Sequence, residues 1–103
     1  MRGAALLLRC VREFTTREND GIPFIVMEQT IWYRRGVDYA PGGYEIVIME
    51  QVVNGEFNGV TTRVRTKAAN DFFEPVPLKE CPLFVGGKVY QFEDTDARDE
   101  NRA

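Results

Sequence analysis

The sequence predicts an all-β domain. Short runs rich in Val, Ile, Thr, Phe and Tyr are separated by turn-forming pairs such as Asp20-Gly21, Gly42-Gly43, Asn54-Gly55 and Asn58-Gly59. No stretch carries the i, i+3, i+4, i+7 apolar pattern of an amphipathic helix. A chain of 103 residues suits one domain with one modest core.

The elements follow in order. A first strand is expected from about Ala5 to Thr16, ending at Asn19-Asp20-Gly21, where glycine accepts a positive φ. Pro23 restricts the chain to an extended entry into a second strand, Phe24 to Arg34. Alternation along that strand puts Ile25, Met27, Gln29, Ile31 and Tyr33 on an apolar face, expected to be the core. Phe24, Val26, Glu28, Thr30, Trp32 and Arg34 share the mixed face, which leaves Phe24 and Trp32 partly exposed unless a bulge intervenes.

A turn-rich connection is expected from Arg35-Gly36 to Gly42-Gly43, then a third strand from Tyr44 to Val53. Asn54-Gly55 and Asn58-Gly59 bracket Phe57 and place it at a hairpin tip. In the returning strand, Val60 to Ala68, alternation sends Arg63, Arg65 and Lys67 to one side as a basic ridge. Prolines at 75, 77 and 82 mark a connecting segment. A terminal hairpin joins Leu83–Val85 to Val89–Phe92 through Gly86-Gly87-Lys88.

Charge divides the chain. The net charge is −3, and residues 93–103 hold Glu93, Asp94, Asp96, Asp99 and Glu100 against Arg98 and Arg102, so residues 1–92 are neutral. The expected organisation is one domain over residues 1–92 and an acidic, disordered tail over 93–103. Cys10 and Cys81 fit no metal or redox spacing; one disulfide between them stays open, and two free thiols in a reducing cytosol are the expected state. The apolar stretch at Leu6–Leu8 is flanked by Arg9 and Arg12 without a small-residue cleavage site, so it is not read as a signal peptide, and no segment has membrane-spanning length.

The chain has no histidine, which removes the commonest general base near neutral pH and the usual Ser-His-Asp and Cys-His arrangements. No glycine-rich phosphate loop precedes a helix. No enzyme, no cofactor and no metal site is expected. The residues suit a single-strand binder instead: cations that track phosphates and rings that stack on bases, at about 1–3 kcal/mol per base. The candidate set is Arg17, Phe24, Trp32, Arg34, Arg35, Phe57, Arg63, Arg65 and Lys67. Blander readings stay open, with the basic ridge as a solvated strand face, Phe24 and Trp32 as core, and Phe57 in a second subunit.

Four clusters, in order, resemble the filamentous-phage single-stranded-DNA-binding proteins of the gene-five type. They are Phe14-Thr15-Thr16-Arg17; Gly21-Ile22-Pro23-Phe24 with Glu28-Gln29; Tyr39-Ala40-Pro41-Gly42 with Tyr44; and Gly55-Glu56-Phe57 followed by Arg63-Val64-Arg65. The resemblance implies a small five-stranded OB-like barrel with protruding hairpins, acting as a homodimer that coats single-stranded DNA cooperatively in the cytoplasm of a bacterial host. It gives Arg17, Arg63 and Arg65 phosphate contacts, and Phe24, Trp32 and Phe57 the places of the family's tyrosines and loop-tip aromatic. Ile22 stands where the family has a lysine, and the terminal hairpin and acidic tail have no counterpart. The tail is a candidate contact for a replication-protein partner. The alternatives are a β-barrel protein-interaction module without nucleic-acid binding and an OB-like RNA binder.

Overall fold

Both expected long strands are broken at the same level, and that break organises the fold. A computed structural model describes residues 6–85 and 88–89. The first arm is β1 (Leu7–Cys10) followed, past residues 11–13, by β2 (Phe14–Asn19). The returning arm is β3 (Ile22–Val26) followed, past residues 27–30, by β4 (Ile31–Tyr39). Gln29 adopts φ 72°, and the Thr30 hydroxyl donates to the Met27 carbonyl at 2.6 Å. Those two features stop the strand expected over Phe24–Arg34. Cys10 holds the two breaks together, donating its N–H to the Thr30 carbonyl at 2.9 Å and accepting from the Gln29 N–H at 2.7 Å.

Beyond the breaks the chain separates into two sheets. β1 and β4 pair in a five-stranded sheet of order β6-β5-β4-β1-β7, formed with β5 (Glu45–Val53), β6 (Glu56–Arg65) and β7 (Phe73–Pro75). β2 and β3 pair as a separate hairpin, with Asp20 at φ 57° and Gly21 at φ 78° in its turn. The hairpin folds over the sheet and lies beside β6, with side chains making the seam. Thr16 Oγ1 donates to the Arg63 carbonyl at 2.6 Å, Asn19 Nδ2 donates to Thr62 Oγ1 at 3.0 Å, and Asn19 Oδ1 accepts from the Arg63 N–H at 3.1 Å. The described residues are therefore all-β apart from one short helix, α1 (Thr66–Phe72).

Sequence alternation named one core face, but both faces of the sheet are covered. Under the hairpin and α1 lie Cys10, Val26, Trp32, Val47, Met49, Val64, Ala69 and Phe73. On the opposite face Leu7 and Val52 pack with Val76, Leu78 and Leu83 of the proline-bearing segment, joined by Ile31, Tyr33 and Phe57. Trp32 is only 2% exposed, and its Nε1–H donates to Thr30 Oγ1 at 2.8 Å. Ile25 and Met27, expected inside, are exposed. The breaks also part the thiols: Cys10 is buried in the first core, while Cys81 borders the second, and both are free.

Other boundaries move for local reasons. β4 runs on to Tyr39 through a bulge at Arg34–Gly36, so the expected connection shrinks to residues 40–44. Gly43 N–H donates there to the Ala40 carbonyl, and Ala40 N–H to the Tyr44 carbonyl. A hairpin forms where expected, but Asn54 and Gly55, at φ 53° and 80°, make its turn alone, as a two-residue turn. The second dipeptide makes a bulge, since the register jumps from Val52↔Phe57 to Glu50↔Thr61 and Gly59 takes φ 84°. Phe57 therefore lies within β6, not at a loop tip. Lys67 lies on α1, not on a strand.

The chain closes through β7, which pairs with β1, and through the short hairpin of β8 (Phe84–Val85) and β9 (Lys88–Val89). That pairing agrees with the expected terminal hairpin. Its continuation through Phe92 and the acidic tail lie outside the described residues. Phe84 N–H donates to the Gly55 carbonyl at 2.6 Å, and a Cβ at Gly55 would lie 2.5 Å from the Pro82 carbonyl oxygen.

Two outcomes follow. Gly55→Ala combines a left-handed φ with a backbone collision and should cost more than about 1 kcal/mol in urea denaturation. Trp32→Ala should cost about 3–5 kcal/mol, and native tryptophan emission should be blue-shifted until the chain unfolds.

Candidate functional site

The predicted cations meet at the rim where the β2–β3 hairpin crosses β6. Register places Arg63 beside Ile48 and Gly36, and Arg65 beside Ile46 and Asp38, so the two arginines share one sheet face as alternation requires. Each has a carboxylate. Arg63 Nη2 lies 2.9 Å from Asp38 Oδ2, and Arg65 Nε lies 3.0 Å from Glu18 Oε2. Lys67 pairs with Asp71 one helical turn on, at 2.8 Å. Two cations of the expected ridge share the strand face, Lys67 lies on α1, and all three are neutralised residue by residue.

Glu18 is the most constrained of these acids. Its other oxygen, Oε1, accepts from the Tyr44 hydroxyl at 2.9 Å, while the Arg65 guanidinium sits 4.0 Å from the Tyr44 ring centroid. Burial pushes the Glu18 carboxyl upward, but hydrogen bonds from Arg65 and Tyr44 outweigh it and hold the group below the ordinary glutamate range. Asp38 is held low chiefly by its hydrogen bond from Arg63 and then by the Tyr39 N–H.

Two grooves flank this rim. One, of about 570 Å³, runs between β2 and α1 and is bounded by Phe14, Arg17, Glu18, Arg65, Lys67 and Phe72. Phe14 and Phe72 are stacked with centroids 4.7 Å apart and planes at 21°, and the Arg12 guanidinium lies 5.9 Å from the Phe72 ring. The other, of about 540 Å³, lies between the β2–β3 turn and the β4–β5 loop, bounded by Arg17, Asn19, Tyr39, Pro41, Tyr44 and Arg63. Arg17 borders both. It is exposed and has no ion pair among the described residues.

The remaining candidates lie elsewhere. Arg35, the extra residue of the β4 bulge, pairs with Glu50 at 2.7 Å and sits 5.8 and 5.9 Å from the rings of Tyr33 and Phe57. Phe57 packs edge-on against Tyr33 at 5.3 Å, bordering the second core. Phe24 packs edge-on against Trp32 at 6.1 Å, and the buried Trp32 offers no open ring face to a ligand. Arg34 is half-buried on β4. The structure thus gathers Arg17, Arg63, Arg65 and Lys67, and leaves Phe24, Trp32, Arg34, Arg35 and Phe57 apart from them.

Comparison with protein-family models, curated proteins and solved structures finds no match to this chain.

Sequence reasoning did not assign Arg12, Phe14, Glu18, Tyr44 and Phe72 to the site. Phe14 and Tyr44 stood within the clusters that carried the resemblance. Phe72 depended on a helix whose only sequence signals were the pair Ala68-Ala69 and the Lys67/Asp71 spacing. Chemically the site offers cations, aromatic rings and hydroxyls. Among the described residues no group of His, Cys, Asp and Glu is placed to hold a metal ion.

The Glu18 environment sets a pH dependence. A carboxylate with a depressed folded pKa contributes stability above its unfolded value, and that contribution is lost as pH falls through the folded value. The urea midpoint should therefore drop below about pH 4.5, and Glu18→Gln should flatten that part of the profile.

Proposed function

We propose that this protein binds single-stranded DNA without sequence preference, through the groove between β2 and α1. One observation carries the reading: a stacked aromatic pair, Phe14 and Phe72, lies among cations, with Arg12 over the Phe72 ring, Arg17 on one wall and Lys67 on the other. Rings of this kind accept any base, and cations beside them accept the phosphates. Arg12 and Arg17 have no ion pair among the described residues, so they meet phosphate without first releasing a carboxylate.

The order of sequence clusters supports a wider assignment to the gene-five type, including an OB-like barrel closed at the β2–β6 seam. On that reading the protein coats phage DNA as a cooperative homodimer in the cytoplasm of a bacterial host, and the acidic tail contacts a replication partner. The neutral body makes binding depend on local charge and stacking, with no enzymatic step.

A second reading, a protein-interaction module, is favoured by one feature. Ile22, Ile25 and Met27, on or next to β3, are 65%, 55% and 52% exposed. A strand that among the described residues pairs only with β2, and carries such side chains, suits contact with another chain.

Fluorescence anisotropy with labelled single strands of several sequences, and with their duplexes, separates the two readings. The expected result is single-strand binding at low salt, similar for all sequences and weaker for duplex. Replacing Arg12 and Arg17 together by alanine should weaken it uniformly and reduce the log–log salt slope by about 1.4, two contacts at about 0.7 each. Absence of binding at low salt would overturn the first reading and leave the interaction module.

A further inference from the structure

Glu18 is held at the junction of the two grooves by donors from outside its own hairpin. Both its oxygens are taken by donors from two other elements: Arg65 Nε–H of β6 at 3.0 Å, and the Tyr44 hydroxyl, just before β5, at 2.9 Å. The donors are themselves fixed to one another, with the guanidinium 4.0 Å over the tyrosine ring. A phosphodiester has the same requirement as this carboxylate, two anionic oxygens with one charge between them. The Glu18 side chain is 14% exposed and borders both grooves, so the pair of donors lies at their junction, beside Arg17, which has no ion pair among the described residues.

We propose that Arg65 and Tyr44 form a phosphate subsite that Glu18 occupies in the free protein, and that a backbone phosphate displaces it. The ligand class rests on the single-stranded-DNA reading; the internal competition rests on the geometry alone. Displacement exchanges one anion for another on the same two donors. A strand crossing from the β2–α1 groove to the β4–β5 loop passes this point, and Glu18 sets its affinity there by opposing it. The remaining paired cations differ in kind. Lys67–Asp71 is an exposed pair within one helix, and Asp38 is 53% exposed and takes its second donor, the Tyr39 N–H, from the next residue of its own strand, so neither pair holds a largely buried anion between donors of two other elements.

Glu18→Gln keeps the size of the side chain and one oxygen for Tyr44 while removing the charge. Glu56→Gln, an exposed residue at the start of β6, supplies the same change in net charge away from the site. Thermal melts establish that both variants fold. With an oligothymidylate probe, Glu18→Gln should bind about three- to fivefold tighter than Glu56→Gln at low salt. Its salt slope should also be steeper, because a phosphate that displaces the Glu18 carboxylate leaves that charge to regain a counterion, and one that displaces the neutral glutamine does not. If the wild type binds and the two variants match in affinity and slope, the subsite is overturned while the DNA reading stands. If none binds the oligonucleotide at low salt, the DNA reading falls, and elution from immobilised heparin decides the subsite. Later elution of Glu18→Gln than Glu56→Gln supports the competition; co-elution overturns it.

Discussion

The β2–β6 seam is the constraint on which the rest depends. Two polar side chains, Thr16 and Asn19, bond to Thr62 and to the backbone of Arg63 and so hold the hairpin over the sheet. Thr16 and Thr62 are buried, and no buried side-chain nitrogen or oxygen among the described residues lacks a hydrogen bond. Their pairing offsets the cost of burying hydroxyls in an otherwise apolar layer. The fold places Trp32, Val47, Met49 and Val64 beneath the hairpin, brings Glu18 to Arg65 and opens the groove against α1. Without it the first core would lack its cover.

The turns were legible because their chemistry is local. Asp20-Gly21 and Asn54-Gly55 take the left-handed backbone that these residues favour, and the hairpins form where those pairs stand. The break at Met27–Thr30 was hidden because it depends on Gln29, a residue with no strong preference for positive φ, and on Thr30 turning its hydroxyl back to Met27. The inside and outside of β3 and β4 could not be deduced by alternation once two cores share one sheet. Ile31 and Tyr33 serve one core and Trp32 the other.

The site was half legible. Period-two alternation places Arg63 and Arg65 on one face, and they lie there. Alternation says nothing of neighbours distant in sequence, and those neighbours decide the electrostatics. Asp38 lies 25 residues from its partner and Glu18 lies 47 from its own. The sequence neutrality of residues 1–92 was the trace of this pairing, visible in the count and silent about its location. Phe72 entered the site because seven residues after β6 coil into a helix, short enough to escape a periodicity test.

The pairing of charges across this rim has a kinetic consequence. Long-range attraction needs a patch whose field survives beyond a Debye length, about 10 Å at 0.1 M salt. Arg63, Arg65 and Lys67 each sit beside a carboxylate, so at that range they are dipoles whose fields fade before an approaching strand or chain arrives. These three residues therefore add little steering to the encounter with a charged partner, and what long-range pull the site has comes from Arg12 and Arg17. For the paired cations the response to ionic strength falls on the dissociation step, when contacts already made at short range compete with the protein's own acids.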